Sequence, residues 1–145
     1  MSYMFSECIS IPSEISKLDT SNVINMKYMF NEAFPSSLPD ISNWDTSEVH
    51  TMEGMFCHCE NLKNLTDISK WDTSKVYDMK YMFRGCMLLR FLPNISQWNT
   101  SNVISFNSMF LACTQLLRIP DLSKWNLGEQ TKRNMFMGCN SLSHF

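Results

Sequence analysis

The chain has 145 residues, 44% of them hydrophobic, and a formal net charge of −2, which suits one folded domain with its own core. This charge gives no overall attraction to nucleic acid, and no apolar run approaches the roughly 18 residues of a membrane-spanning helix. Residues 1–11 lack the basic start and apolar run of a secretory signal. We therefore expect either an intracellular protein or a piece of a longer one.

The pair Met-Phe recurs along the whole chain at intervals of 25, 26, 27, 27 and 26 residues. Its copies are Met4-Phe5, Met29-Phe30, Met55-Phe56, Met82-Phe83, Met109-Phe110 and Met135-Phe136. Trp44, Trp71, Trp98 and Trp125 follow the same period. The sequence therefore predicts a single repeat domain over residues 1–145, with about five repeats of 25–27 residues, truncated or uncapped at both ends.

Within one repeat, residues 62–71 come first and predict a short extended segment followed by a turn. Asp72-Thr73-Ser74 is typical of a helix N-cap, and equivalent runs stand at 19–21, 45–47 and 99–101. From Val76 to Cys86 the apolar residues are spaced three and four apart, which predicts a helix of two to three turns.

Neither a short helix nor a single strand buries its own apolar side, so stacking of equivalent units is expected to cover both. The extended segments would form a parallel sheet with strands about 4.8 Å apart, and the helices would lie on the opposite side. The predicted fold is an α/β, leucine-rich-repeat-like solenoid with one short parallel strand and one short helix per repeat.

Five of the six cysteines share one repeat position, three residues after the Phe: Cys8, Cys59, Cys86, Cys113 and Cys139. Helices packed about 8–10 Å apart would hold these residues beyond disulfide reach, so buried free thiols are favoured over disulfides. The run Cys57-His58-Cys59 suggests zinc, but Cys57 is expected to face outward and no other repeat offers ligands. We predict no metal and no cofactor.

Asp or Asn also recurs at one repeat position, as Asp40, Asp67, Asn94 and Asp121. Calcium binding is the functional interpretation, and side chains that stabilise turns by local hydrogen bonds are the favoured one. The histidines His50, His58 and His144 occupy unrelated repeat positions, and no glycine-rich phosphate loop is present. The sequence therefore predicts a protein that is not an enzyme.

Positions that vary between repeats are the candidates for partner binding. Lys63, Arg90 and Arg118 are expected to fall in one stripe of the strand face, with Lys17, Lys70 and Lys124 in a second. Phe91 supplies an apolar anchor of the kind that dominates interfaces. We hypothesise a mildly basic face that docks an acidic protein or glycan, and an ordinary solvated face is an equally open interpretation.

The repeat motif reads Leu-Pro-Asp-Ile-Ser-x-Trp-Asp-Thr-Ser-x-Val-x-x-Met-x-x-Met-Phe-x-x-Cys-x-x-Leu, with copies at residues 38–62, 66–89 and 92–116. It resembles the repeat of bacterial surface proteins, a BspA-like relative of leucine-rich repeats. The resemblance implies a curved solenoid, displayed at a cell surface, that mediates adhesion or protein contacts without catalytic residues. We therefore expect a monomeric, non-enzymatic interaction or adhesion module. The alternative is an intracellular substrate-recognition scaffold of a larger assembly.

Overall fold

The computed structural model describes residues 1–129 and 131–143. Its helices are two short 3-10 segments, Ser13–Lys17 and Ile95–Gln97. Parallel pairing is limited to isolated bridges, which join Asn25 to Thr51, Ser37 to Asn64, Thr51 to Asp78, Asp78 to Ser105 and Phe91 to Arg118. Over the described residues there is neither an α-helix nor a continuous sheet. The predicted leucine-rich-repeat-like solenoid, with a strand and a helix in each repeat, is therefore wrong.

The chain instead winds as a stack of coils, one for each repeat, with equivalent residues lying over one another. We number the coils 1 to 5 as residues 1–22, 23–48, 49–75, 76–102 and 103–128. Each coil has a Met-Phe limb, which ends at the position of Ala33, Cys59 or Cys86, and a return limb that carries a Trp in coils 2 to 5 and Leu18 in coil 1. Most of the buried apolar side chains come from the Met-Phe limbs and from the Ile and Trp of the return limbs.

The Met-Phe limb is built from turns because its backbone N–H groups alternate between two kinds of partner. In coil 2, Met29 and Ala33 donate to the carbonyls three residues back, at 3.3 and 3.0 Å. Between them, Phe30 donates across the stack to the Met55 carbonyl at 2.9 Å. An α-helix would direct every interior N–H to a carbonyl of the same segment. The predicted helix from Val76 to Cys86 is wrong for this reason.

Two residues in each Met-Phe limb adopt the left-handed backbone conformation, which interrupts any helix. In coil 2 these are Tyr28, with φ of 52°, and Glu32, with φ of 56°. Each is the third residue of a four-residue turn, the place where a type II turn requires positive φ. Gly54 fills the position of Tyr28 in coil 3, with φ of 58°, and Gly85 fills the position of Glu32 in coil 4, with φ of 72°. The turns therefore keep the helix-like apolar spacing without forming a helix.

Columns of identical side chains hold the coils together. The rings of Phe30, Phe56, Phe83 and Phe110 stack nearly parallel, with successive centroids 5.6, 5.3 and 5.5 Å apart. All four side chains are fully buried. Each ring pair contributes about 0.5–1.5 kcal/mol beyond its hydrophobic burial. The coil spacing is thus that of neighbouring β-strands rather than that of packed helices.

The cysteines of neighbouring coils lie closer together than helix packing would place them. Cys59, Cys86 and Cys113 are buried free thiols, as predicted, and each donates a hydrogen bond to a Phe carbonyl of the preceding coil at 3.0–3.1 Å. The predicted separation of about 8–10 Å came from helix packing and does not apply, because no helices are present. Cys57 was expected to face outward, and it is instead buried, with 5% of its surface exposed.

The return limbs are fixed by side chains that bond to the backbone. The column predicted to stabilise turns does so: Asp40, Asp67, Asn94 and Asp121 each accept the N–H two residues on, at 2.9–3.2 Å. The run Asp72-Thr73-Ser74 forms the same kind of turn, and it caps no helix. Trp44, Trp71 and Trp98 are buried, and their indole N–H groups donate to Ile carbonyls of the preceding coil.

Candidate interaction face

The predicted binding residues lie on the return limbs, and all six side chains are exposed: Lys63, Lys70, Arg90, Phe91, Arg118 and Lys124. Arg90 lies one coil from Lys63 at the equivalent position. Arg118 pairs with Phe91 in a parallel bridge and is therefore level with Phe91, one position along from the column of Lys63 and Arg90. The strand face predicted from the sequence is thus a face of irregular return limbs.

Phe91 is the centre of this region. Its side chain is 53% exposed, and it lines three neighbouring depressions of about 390, 350 and 270 Å³. Lys63 and Arg90 share the first depression with it, and Arg118 shares the third. The structure therefore brings Lys63, Arg90, Phe91 and Arg118 together, and we call this group the Phe91 face.

Lys70 and Lys124 lie outside the Phe91 face. Both are exposed residues directly before a buried Trp, and neither lines any of the three depressions around Phe91. Gln97 occupies the equivalent position between them, so the cations are two coils apart. The predicted second basic stripe is therefore interrupted and separate from the first.

The backbone ladder of the return limbs is incomplete at the Phe91 face. Lys63 donates its N–H to the Ser36 carbonyl at 2.9 Å, and Leu117 donates to the Arg90 carbonyl at 3.0 Å. Within residues 1–129 and 131–143, the equivalent bond from the Arg90 N–H to the Lys63 carbonyl is not formed. Sequence reasoning missed this opening, because the repeat pattern does not predict which backbone hydrogen bonds between coils are made.

The Trp column is interrupted between coils 3 and 4, whereas the Phe56 and Phe83 rings of the same coils remain stacked at 5.3 Å. Trp44 stacks on Trp71 with centroids 6.4 Å apart, and Trp98 stacks on Trp125 at 6.1 Å. Trp71 and Trp98, both in the described part of the chain, do not stack on each other. The Trp98 indole still donates to the Ile68 carbonyl at 3.1 Å, so coils 3 and 4 remain joined at that end. The opening is therefore local to residues around Lys63 and Arg90.

A charged cluster on the Met-Phe limbs was also missed. Glu53 is 7% exposed and lies 2.6 Å from the Lys27 ammonium and 3.4 Å from that of Lys80. The Tyr28 hydroxyl donates to the same carboxylate at 3.2 Å. Burial raises the pKa of Glu53, but the two lysines outweigh it and hold the pKa below its ordinary value. The alternation Lys27, Glu53, Lys80 at one repeat position is the signal that would have revealed it.

Potential metal ligands are dispersed. No group of three or more His, Cys, Asp or Glu residues is arranged to hold a metal ion in the described part of the chain. His58 lies beside Glu60, with 3.7 Å between its Nδ1 and the carboxylate, whereas Cys59 points into the core. Burial raises the pKa of Cys57 to about 11 and that of Cys59 to about 12. His144 lies outside the described residues.

Comparison with known families gives one match. The family described as Mycoplasma protein of unknown function, DUF285, matches residues 1–65 and again residues 59–144. The chain belongs to the DUF285 family. The two DUF285 matches together cover nearly the whole sequence. No curated protein and no solved structure matches the chain significantly.

The DUF285 description assigns no activity. The resemblance to the BspA-like surface repeat is a separate observation and stays a prediction. No helix among the described residues is both long enough and apolar enough to cross a bilayer.

Proposed function

We propose that this DUF285 protein is a non-enzymatic interaction module that binds an anionic partner through the Phe91 face. The observation that carries the proposal is an exposed aromatic ring with cations on both sides, Lys63 and Arg90 on one and Arg118 on the other. Aromatic and Arg side chains supply most of the binding energy in protein interfaces. Stacked coils hold these residues on a fixed scaffold, which lowers the entropic cost of binding.

The core thiols of Cys59 and Cys86 are unsuited to nucleophilic catalysis. A nucleophilic cysteine requires a lowered pKa and access to solvent. Burial raises the pKa of Cys59 to about 12 and places that of Cys86 well above its ordinary value. Both thiols are also engaged with Phe carbonyls of the preceding coil. These cysteines therefore serve packing.

The resemblance to bacterial surface repeats supports adhesion at a cell surface as the context of this binding. An intracellular scaffold that presents substrates to an enzyme would use the same face. The two contexts differ in whether the protein, expressed in its own cell, is labelled by a reagent that cannot cross the membrane.

A binding experiment with two defined probes tests the proposal. Immobilised polyglutamate and immobilised heparin would be exposed to the wild-type chain and to the triple variant Lys63→Glu, Arg90→Glu, Arg118→Glu. The matched control reverses three other exposed lysines, Lys17, Lys70 and Lys124, and so has the same net charge.

We expect wild type and control to bind at least one probe and the triple variant to lose binding. Binding should also weaken with salt, because exposed charges are screened over about 10 Å at 0.1 M ionic strength. Equal loss in both triple variants would reduce the effect to net charge and remove the Phe91 face from the proposal. Absence of wild-type binding to either probe would remove the anionic partner.

A further inference from the structure

A second exposed aromatic ring, that of Phe34, lies among acidic side chains. It is 55% exposed and lines a depression of about 360 Å³ with Glu32 and Glu60. His58 shares this lining and lies beside Glu60. Glu7 occupies the position of Glu32 one coil earlier, and all three carboxylate side chains are exposed. We call Glu7, Glu32, Phe34 and Glu60 the Phe34 face.

The Phe34 face and the Phe91 face adjoin in coil 3 and carry opposite charges. Residues 60–61 line the depression at Phe34, and residues 63–64 line the depression of about 390 Å³ at Phe91. The acidic side chains of the Phe34 face stand in coils 1, 2 and 3, whereas the basic side chains of the Phe91 face stand in coils 3, 4 and 5. None of these three basic side chains forms an ion pair within the described part of the chain. The exposed charge on this side of the stack therefore changes sign at coil 3.

A surface with this order of charges is complementary to a second copy of itself. When two copies face each other with their stacks running in opposite directions, coil 3 meets coil 3, coil 2 meets coil 4 and coil 1 meets coil 5. The resulting pairs between copies are Glu60 with Lys63, Glu32 with Arg90 and Glu7 with Arg118. Each pair occurs twice, because a two-fold contact uses the same surface patch on both copies.

Exposed apolar side chains favour the same arrangement. Reversal of the coil order sets Phe34 of coil 2 against coil 4, which carries the exposed side chains of Met87 and Phe91. Aromatic rings that become buried supply much of the binding energy of an interface, and complementary charges fix its register. Two copies with parallel stacks would instead set like charges opposite each other, which opposes binding.

We propose that two copies of this chain form an antiparallel dimer in which the Phe91 face of each binds the Phe34 face of the other. This inference rests on the proposed function, because it names a second copy of the chain as the anionic partner of the Phe91 face. The dimer takes the place of the monomer expected from the sequence.

The test measures the mass of the full chain by sedimentation equilibrium over a range of protein concentrations, at low and at high salt. Two variants reverse one charge on each face, Glu32→Arg and Arg90→Glu. The matched controls are Glu14→Arg and Lys124→Glu, which make the same changes at exposed residues outside both faces.

We expect wild type to approach the mass of two chains as its concentration rises, and to associate more weakly at high salt. Glu32→Arg and Arg90→Glu should each weaken the dimer at least about tenfold, because one reversal sets like charges together in both symmetric contacts. The two controls should leave the association unchanged. An equimolar mixture of Glu32→Arg and Arg90→Glu should recover the dimer, because each altered residue then faces one of opposite charge, and misfolded variants would not recover it.

A chain that stays monomeric at every concentration would overturn the inference, as would equal weakening by the controls or a mixture that does not associate. Growth beyond the mass of two chains would overturn the two-fold arrangement. This test measures the mass of the chain alone, without an added probe. A monomeric chain whose triple variant loses polyglutamate or heparin binding would therefore leave the proposed function standing, so the two failures are distinguishable.

Discussion

Substitution of Gly54 by Ala is the sharpest test of the turn-built Met-Phe limb. Gly54 has φ of 58°, and a Cβ there would lie 2.1 and 2.4 Å from two ring carbons of Tyr28. The ring cannot move away freely, because it stacks on Tyr3 at 5.3 Å and its hydroxyl donates to Glu53. Both the backbone and the packing therefore oppose a side chain at this position.

The expected cost is the sum of these two effects. A left-handed conformation costs a residue with a Cβ about 1–2 kcal/mol relative to glycine. Overpacking in a close-packed interior adds about 1–3 kcal/mol. We expect Gly54→Ala to lower the free energy of unfolding by about 2–5 kcal/mol, which corresponds to roughly 6–15 °C in Tm for a chain of this size.

Urea and thermal unfolding followed by circular dichroism measure the effect. The matched control is Gly128→Ala, where φ is not positive and the added Cβ would meet Thr131 at an ordinary 3.6 Å. In the Tyr28→Ala background the steric part should disappear, leaving about 1–2 kcal/mol of backbone cost. A helix would give the opposite sign, since Gly→Ala in a helix interior stabilises by about 1 kcal/mol. Stabilisation by Gly54→Ala would therefore refute the turn-built limb.

Three further predictions concern packing, acid stability and thiol reactivity. Phe83→Ala should lower the free energy of unfolding in urea by about 3–5 kcal/mol, because its ring is fully buried between two other rings. Phe91→Ala, at an exposed ring, should change that free energy by less than about 0.5 kcal/mol. Equal losses would contradict the stacked column of Phe rings. Hydrogen bonds from the serine two residues on lower the pKa of Asp67, so its stabilisation is present above the ordinary value of 3.8 and is lost as pH falls through the lowered pKa. Asp67→Asn keeps the turn, since an Asn makes the same turn one coil later, but lacks the charge-dependent contribution. Its Tm should therefore lie slightly below that of wild type at neutral pH and fall less on acidification; an unchanged acid response would exclude this carboxylate. Iodoacetamide should alkylate the half-buried Cys8 in the native protein and spare Cys59, because burial raises the pKa of Cys59 to about 12. Peptide mass spectrometry measures the labelling of each cysteine. Equal labelling of the two would disprove the burial of Cys59.

The functional region was predictable in part. Exposed, variable cations and an exposed aromatic ring could be selected from the sequence, because they stand between positions that repeat. Lys63, Arg90, Phe91 and Arg118 lie around joined depressions in the structure, whereas Lys70 and Lys124 lie apart. The opening between coils 3 and 4 depends on one backbone hydrogen bond that is not made, and the side-chain pattern does not encode it.

Side-chain identity by itself determined which residues lie over one another. A constant step of 25–27 residues between Met-Phe pairs places equivalent Phe, Trp and Cys side chains in columns, and Asp or Asn followed two residues later by Ser specifies the turns of the return limb. Only the tertiary structure decided the path of the backbone. Apolar residues three and four apart are buried equally well by a helix and by successive tight turns. The choice depends on whether alternate N–H groups bond within the segment or to the next coil, and those partners exist only when the coils are stacked.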